Sequence, residues 1–240
     1  RPLRVRILPR PASVDSMDDL LELTSRVEQT HFWFRGFRRF VGLALHDAVG
    51  DRQDLRVLDC GCGTGHNMAT LLASRGRVFG FDVTPGGLAL ARRAALPVAQ
   101  ADMQGIPFLD GSFDLVTTFD VFQYVPDDAA VMRDMARVLR PGGALVMTAS
   151  ALDILRGGHA GTWPEVRRYT TGRVRRIVEQ AGLRVERLTY LFAVLFPMMV
   201  AVRMLRRDHG AAAGAEQDWE MDVPAAPVNA VLTGMLHAEA

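Results

Sequence analysis

The sequence predicts an α/β fold with a doubly wound, mostly parallel sheet. Three observations lead there. Short apolar runs alternate with amphipathic stretches of helical length between residues 56 and 190, the pattern of strand–helix–strand units. The first run enters Val57-Leu58-Asp59-Cys60-Gly61-Cys62-Gly63-Thr64-Gly65. Three glycines spaced two apart strip side chains from a strand-to-helix turn, so backbone N–H groups can approach a ligand closely. Acidic residues close the next two runs, Asp82 after Val78-Phe79-Gly80-Phe81 and Asp102 after Pro97-Val98-Ala99-Gln100-Ala101. Carboxylates at three successive strand ends mark the edge where open α/β sheets bind ligands.

Residues 1–14 carry four arginines and three prolines and read as a loose arm. From Ser16 to about Ala48 the pattern is helical, with Ser16 and Asp18 as caps ahead of Leu20, Leu21 and Leu23. Arg56–Cys60 is the first strand and Thr64–Ser74 the helix after the glycine turn. Thr84-Pro85 starts the next helix, a capping hydroxyl followed by proline in the first turn. Asp110-Gly111-Ser112 turns into a fourth strand, Phe113–Phe119. Asp127–Leu139 is an amphipathic helix, stopped by Pro141-Gly142-Gly143 before a fifth strand, Ala144–Ala149. Thr171–Gln180 makes a further helix with Gly182 at its end, and Leu183–Tyr190 a sixth strand. Leu191–Leu205 is apolar and runs into Arg203, Arg206 and Arg207. Residues 208–227 read as a flexible linker and 228–240 as a short helix. No strand is read after residue 190. Three regions follow: an N-terminal arm and helices (1–48), a ligand-binding core (49–191) and an appendage (192–240).

The 240 residues suffice for one α/β domain with a modest addition. Basic and acidic residues number 28 and 27, a net charge of +1, so no global field recruits nucleic acid. Cys60 and Cys62 are too few for a thiolate metal site and too close for an unstrained disulfide. They read as reduced core residues, as expected in a cytoplasmic protein. No metal is expected. Leu188–Val202, broken by Pro197, is too short for stable membrane insertion. No signal peptide is read, and Arg1 in place of Met points to a missing natural N-terminus.

The glycine turn is G-x-G-x-G. The dinucleotide pattern needs glycine where His66 stands. With Asp82 and Asp102 downstream, roughly residues 30–205 resemble the class I S-adenosylmethionine-dependent methyltransferases, which implies a Rossmann-like methyltransferase sheet under an N-terminal helical lid. The resemblance implies S-adenosylmethionine as cofactor. It gives Asp82 the ribose hydroxyls, and Asp102 the adenine amino group with Met103 against the ring. Gly61, Gly63 and Gly65 pass under the methionine portion, Asp59 orders that turn, and Val83 and Phe119 line the cofactor. The alternative is a generic nucleotide-binding domain whose glycines serve only as turns.

Methyl transfer is an in-line displacement in which alignment supplies much of the rate, and a base matters only where the acceptor loses a proton. Relatives carry Glu-His where this chain has Gln123-Tyr124. Tyr124 either positions an acceptor or packs under its loop. The segment 150–169 concentrates glycines, polar groups and aromatics after the fifth strand, where long loops carry function. Its base candidates are His159 and Glu165, with a surface histidine and a solvated carboxylate as the alternatives. Arg167 and Arg168 suit an anionic head or form a solvated turn. The Thr30–Phe40 stretch resembles the His-x-Trp-Phe-Arg opening of a bacterial, type-11-like subgroup, which Arg167-Arg168-Tyr169 also fits. There Phe32, Trp33 and Arg35 would face substrate, with Phe122, Trp163 and Tyr169, or the aromatics pack on the core.

The expected activity is methyl transfer to a hydrophobic small molecule of natural-product type, prenyl or polyketide-like with an anionic head, on carbon or oxygen. Two rivals stand beside it: a cyclisation on the same fold, and a non-catalytic binding subunit. Neither the acceptor nor the oligomeric state is legible.

Overall fold

The computed structural model describes residues 14–155, 165–207 and 222–240. The N-terminal arm, His159 and Trp163 with the loop glycines around them, and most of the expected linker lie outside the described residues.

Two helices lead, α1 (Val14–Val27) and α2 (Phe32–Val49). Strands β1 (Leu55–Cys60), β2 (Gly76–Asp82), β3 (Val98–Gln100), β4 (Phe113–Phe119) and β5 (Leu139–Thr148) follow. Between them lie α3 (Pro85–Arg93) and α4 (Asp128–Val138). The chain continues through α5 (Thr171–Gln180), α6 (Phe196–Arg207) and α7 (Ala226–Glu239). All five strands are parallel, in the order β3-β2-β1-β4-β5. The order reverses between β1 and β4, and at such a point loops diverge and leave a crevice at the carboxyl edge.

Alternation along the strands divides the core. Leu58, Phe81 and Val116 bury on one face with Phe122, Met132, Met135 and Tyr169. Val57, Val78 and Leu115 bury on the other with Phe37, Leu45, Leu72 and Leu236. Side chains at successive strand positions point to opposite faces, so helices cover both. No helix among the described residues is long and apolar enough to cross a membrane.

Four expectations need correction. Leu183–Tyr190 is not a strand. Leu183 and Val185 pack on the core while Arg184 and Glu186 stay exposed, so the alternation is real, but no ladder forms. The Pro141-Gly142-Gly143 stop lies inside β5, where the register slips between Phe113 and Leu115. The segment after the glycine turn tightens and loosens, with a π-helical turn at Met68–Leu72 and a 3₁₀ turn at Ala73–Arg75. Helix α1 begins at Val14, which puts Asp18 inside it rather than at its cap.

The last helix is held onto α2. Gly36 lets it close in, since a Cβ there would lie 2.4 Å from Leu236 Cδ1. Asn229 Oδ1 accepts from the Phe32 N–H (2.8 Å), and its Nδ2 donates to the Thr30 carbonyl (2.9 Å). Those bonds satisfy backbone groups at the start of α2 that have no partner within the helix.

Candidate active site

The glycine turn sits at the carboxyl end of β1. Gly61, Gly63 and Gly65 all have left-handed φ (77°, 50° and 78°), which glycine alone holds without steric cost. Gly61 also admits the β4 loop, because its Cβ would lie 2.6 Å from Val121 Cγ2. Both Gly61 and Cys62 donate their N–H to the Phe81 carbonyl. Asp82 completes the turn. Its Oδ2 accepts from the Gly63 N–H (2.8 Å), and its Oδ1 from the Thr84 N–H (2.9 Å) and hydroxyl (2.6 Å). A carboxylate has about four acceptor positions, and three are taken. Thr84 therefore does not cap α3, as its sequence position suggests. Asp18 of α1 does so from outside, accepting from the Gly86 N–H at 2.8 Å.

Asp59 is buried one strand over and accepts from the Thr117 hydroxyl at 2.7 Å. Burial pushes its carboxyl up to about 7, against the Thr117 bond and with the nearby charge of Asp82. Burial likewise raises the thiols of Cys60 and Cys62, which keeps them neutral and unreactive. Asp102 caps a 3₁₀ turn by accepting from the Gln104 N–H at 2.9 Å, and Met103 beside it is buried. Val83 is exposed next to Asp82. Phe119 is not on an open face: it lies edge-on to Phe37 of α2, with centroids 5.8 Å apart.

Helix α1 covers this edge. Leu21 packs against both Gly63 and Gly87. Glu28, just past α1, receives the Thr64 hydroxyl at 3.1 Å and stands 3.8 Å from His66 Nδ1. Burial raises its carboxyl. The aromatics of α2 do something else. Trp33 and Phe40 both lie edge-on to Phe192, at 4.2 and 5.6 Å, and Phe32 is half-buried beside them. They pack on the core, and Arg35 is exposed.

On the other side of the switch point, Glu165 and Arg168 form a two-bond ion pair at 2.6 and 2.9 Å. Arg167 donates to the Val125 (2.7 Å) and Pro126 (2.6 Å) carbonyls. Both arginines thus bind the protein's own loops rather than an open anion site. Tyr169 is buried with its hydroxyl 3.1 Å from the Phe122 carbonyl and from Asp128, and Phe122 is fully enclosed. These two rings belong to the core, which corrects their place on a substrate face. Tyr124 is largely enclosed, and burial first, then Glu165, pushes its phenol up to about 12.

Two residues here escaped sequence reasoning. Gln123 is buried and fastens the two loops together. Its Nε2 donates to the Asp120 carbonyl (2.8 Å), and its own carbonyl accepts from the Val166 N–H (2.9 Å). A polar residue inside Phe122–Val125 was the signal for it. Asp120 directly follows β4 and has a left-handed φ of 54°. Its carboxylate receives the Thr148 hydroxyl at 3.0 Å. The residue is exposed, and the protein packed around its carboxyl raises it, opposed by the Thr148 bond.

Comparison with known proteins agrees with this geometry. Residues 58–147 match a family model described as a methyltransferase domain. A demethylmenaquinone methyltransferase of Mycobacterium sp. (strain KMS) is 36% identical over 151 residues, 60% of this chain and 62% of that protein. The chain spans between about half and three fifths of the length of the curated relatives it matches. Among solved structures, an S-adenosylmethionine-dependent methyltransferase from Mesorhizobium loti superposes with a TM-score of 0.55 at 20% identity, over 67% of this chain and 90% of its own. The [4+2]-cyclase SpnF superposes with a TM-score of 0.61 at 17% identity, over 98% and 93%. At these identities the structures share the fold.

Proposed function

We propose that this chain, whose central domain belongs to the class I S-adenosylmethionine-dependent methyltransferases, transfers a methyl group to an apolar small molecule. The observation that carries this reading is the carboxyl edge of β1, β2 and β3. Bare glycine backbone, Asp82 with an acceptor position remaining on Oδ2, and Asp102 beside buried Met103 follow one another there in sheet order. These residues fit an adenosyl group. Asp82 would hold the ribose, Asp102 and Met103 the adenine, and the glycine turn the methionine portion, while Asp59 orders that turn from below. Bound there, S-adenosylmethionine supplies an electrophilic methyl carbon on a positive sulfur.

Residues 1–48 cover the cofactor in this reading, 49–191 hold it and 192–240 brace the cover. The acceptor enters from the β4 and β5 side. A prenylated, quinone-like acceptor is favoured by the relatives named for demethylmenaquinone, and the polyketide-like alternative remains within the same apolar class. Arg167 and Arg168 are engaged internally, so an anionic head is dropped from the proposal. A cytoplasmic location remains part of it.

The [4+2]-cyclase with the same fold defines the rival reading, in which the chain cyclises its substrate. Mass spectrometry of products formed with methyl-labelled S-adenosylmethionine tests both. A product carrying the label supports methyl transfer, an isomerised unlabelled product supports cyclisation, and no product supports a binding subunit.

A further inference from the structure

Resting on the methyl-transfer reading, we propose that Asp120 is the base that takes the acceptor's proton. The position comes first. Asp120 directly follows β4, the strand across the switch point from β1, and the next residue, Val121, lies against Gly61. Asp120 therefore borders the glycine turn on the side where an acceptor would meet the methyl group.

Its backbone is built to aim the side chain. A left-handed φ is uncommon outside glycine, with aspartate and asparagine among the exceptions. Here it is imposed from three directions. The Asp120 N–H donates to Thr148, its carbonyl accepts from buried Gln123, and the Thr148 hydroxyl donates to Oδ1. Non-glycine residues held in such conformations gather at functional sites. The competing candidate is poorly placed for the task, since both oxygens of Glu165 accept from Arg168. Burial raises the Asp120 carboxyl, opposed by the Thr148 bond, added to by Glu165 and opposed again by Arg168. A raised carboxylate is the better proton acceptor.

The step balances. The acceptor's O–H or C–H proton passes to the Asp120 carboxylate. The pair left on oxygen or carbon bonds to the methyl carbon as the C–S bond breaks, and that bond's electrons stay on sulfur.

Asp120→Asn removes the charge and keeps both shape and tolerance of positive φ. Full-length parent and variant are compared anaerobically with 1,4-naphthohydroquinone as probe. The measurements are S-adenosylhomocysteine affinity, probe affinity for that complex, melting, and label transfer from S-adenosylmethionine. The variant is expected to melt and bind S-adenosylhomocysteine as the parent does. It should bind the probe about tenfold or more weakly, as loss of a charged hydrogen bond implies, and transfer label about 10²–10⁴-fold more slowly. Unchanged probe affinity and transfer within about twofold would overturn the proposal. So would transfer lost only in step with melting, which Asp120→Gly checks by removing backbone strain. A parent that binds the probe through Asp120 but transfers no label overturns the methyl-transfer reading and keeps Asp120 as the acceptor's partner. A parent that binds no probe overturns both.

Discussion

Glu165 and Arg168 clasp each other through two hydrogen bonds three residues apart, with side chains only 10% and 13% exposed. Arg168 also donates to the Ala151 carbonyl at 3.2 Å, so the pair spans the ends of the segment after β5. Glu165→Gln leaves a largely buried guanidinium without its counter-charge. The expected cost is about 3 kcal/mol, the lower end for breaking a buried pair. Turnover and melting temperature should fall together. Full melting stability with collapsed turnover would return Glu165 to the chemistry.

Asp82→Ala should weaken S-adenosylmethionine binding in two ways. It removes the carboxylate offered to ribose, roughly 1.5–3 kcal/mol per charged hydrogen bond, and it frees the Gly63 and Thr84 donors that set the glycine turn. Calorimetric titration should show at least tenfold weaker binding, and an unchanged affinity refutes the assignment.

Asp59 makes stability depend on pH with a definite sign. Its carboxyl, raised to about 7, keeps in the folded state a proton that the unfolded chain loses near 4. Between those values the folded state binds more protons, so this group's contribution to stability falls as pH rises and levels off above 7. Asp59→Asn should flatten the curve. Denaturant melts at pH 5 and pH 8 check it: the parent should lose more stability than the variant, by about 1–3 kcal/mol.

Gly36→Ala should destabilise by about 1–3 kcal/mol through overpacking, because its Cβ would fall within 2.4 Å of Leu236. Adding Leu236→Ala should recover part of that loss. Strict additivity in this double-mutant cycle would disprove the contact.

What the sequence made legible follows from how local each signal is. The glycines are readable because a tight turn at a strand end demands them within a few positions, and Asp59 and Asp82 because each sits at or near the end of an apolar run. Leu183–Tyr190 alternates without forming a strand, because alternation reports which residues face the core, not whether a neighbouring strand is there to pair. Glu165 reads as a base or as a solvated carboxylate from sequence, because a Glu-x-x-Arg spacing alone does not say that the two side chains meet as they do here. Gln123 leaves one local signal, a polar residue among Phe122, Tyr124 and Val125, and Asp120 leaves none: their bonds with Val166 and Thr148 join residues that only the fold brings near.

Asn229 reaches Phe32 across 197 positions of sequence. A ribosome adding about 5–20 residues per second delivers that side chain roughly 10–40 s after Phe32. The glycine turn, β1 and β4 can assemble in the meantime. Throughout that interval α2 waits with the face around Gly36 uncovered and two backbone groups unsatisfied. The uncovered face of α2 therefore stays open to aggregation and proteolysis until α7 arrives.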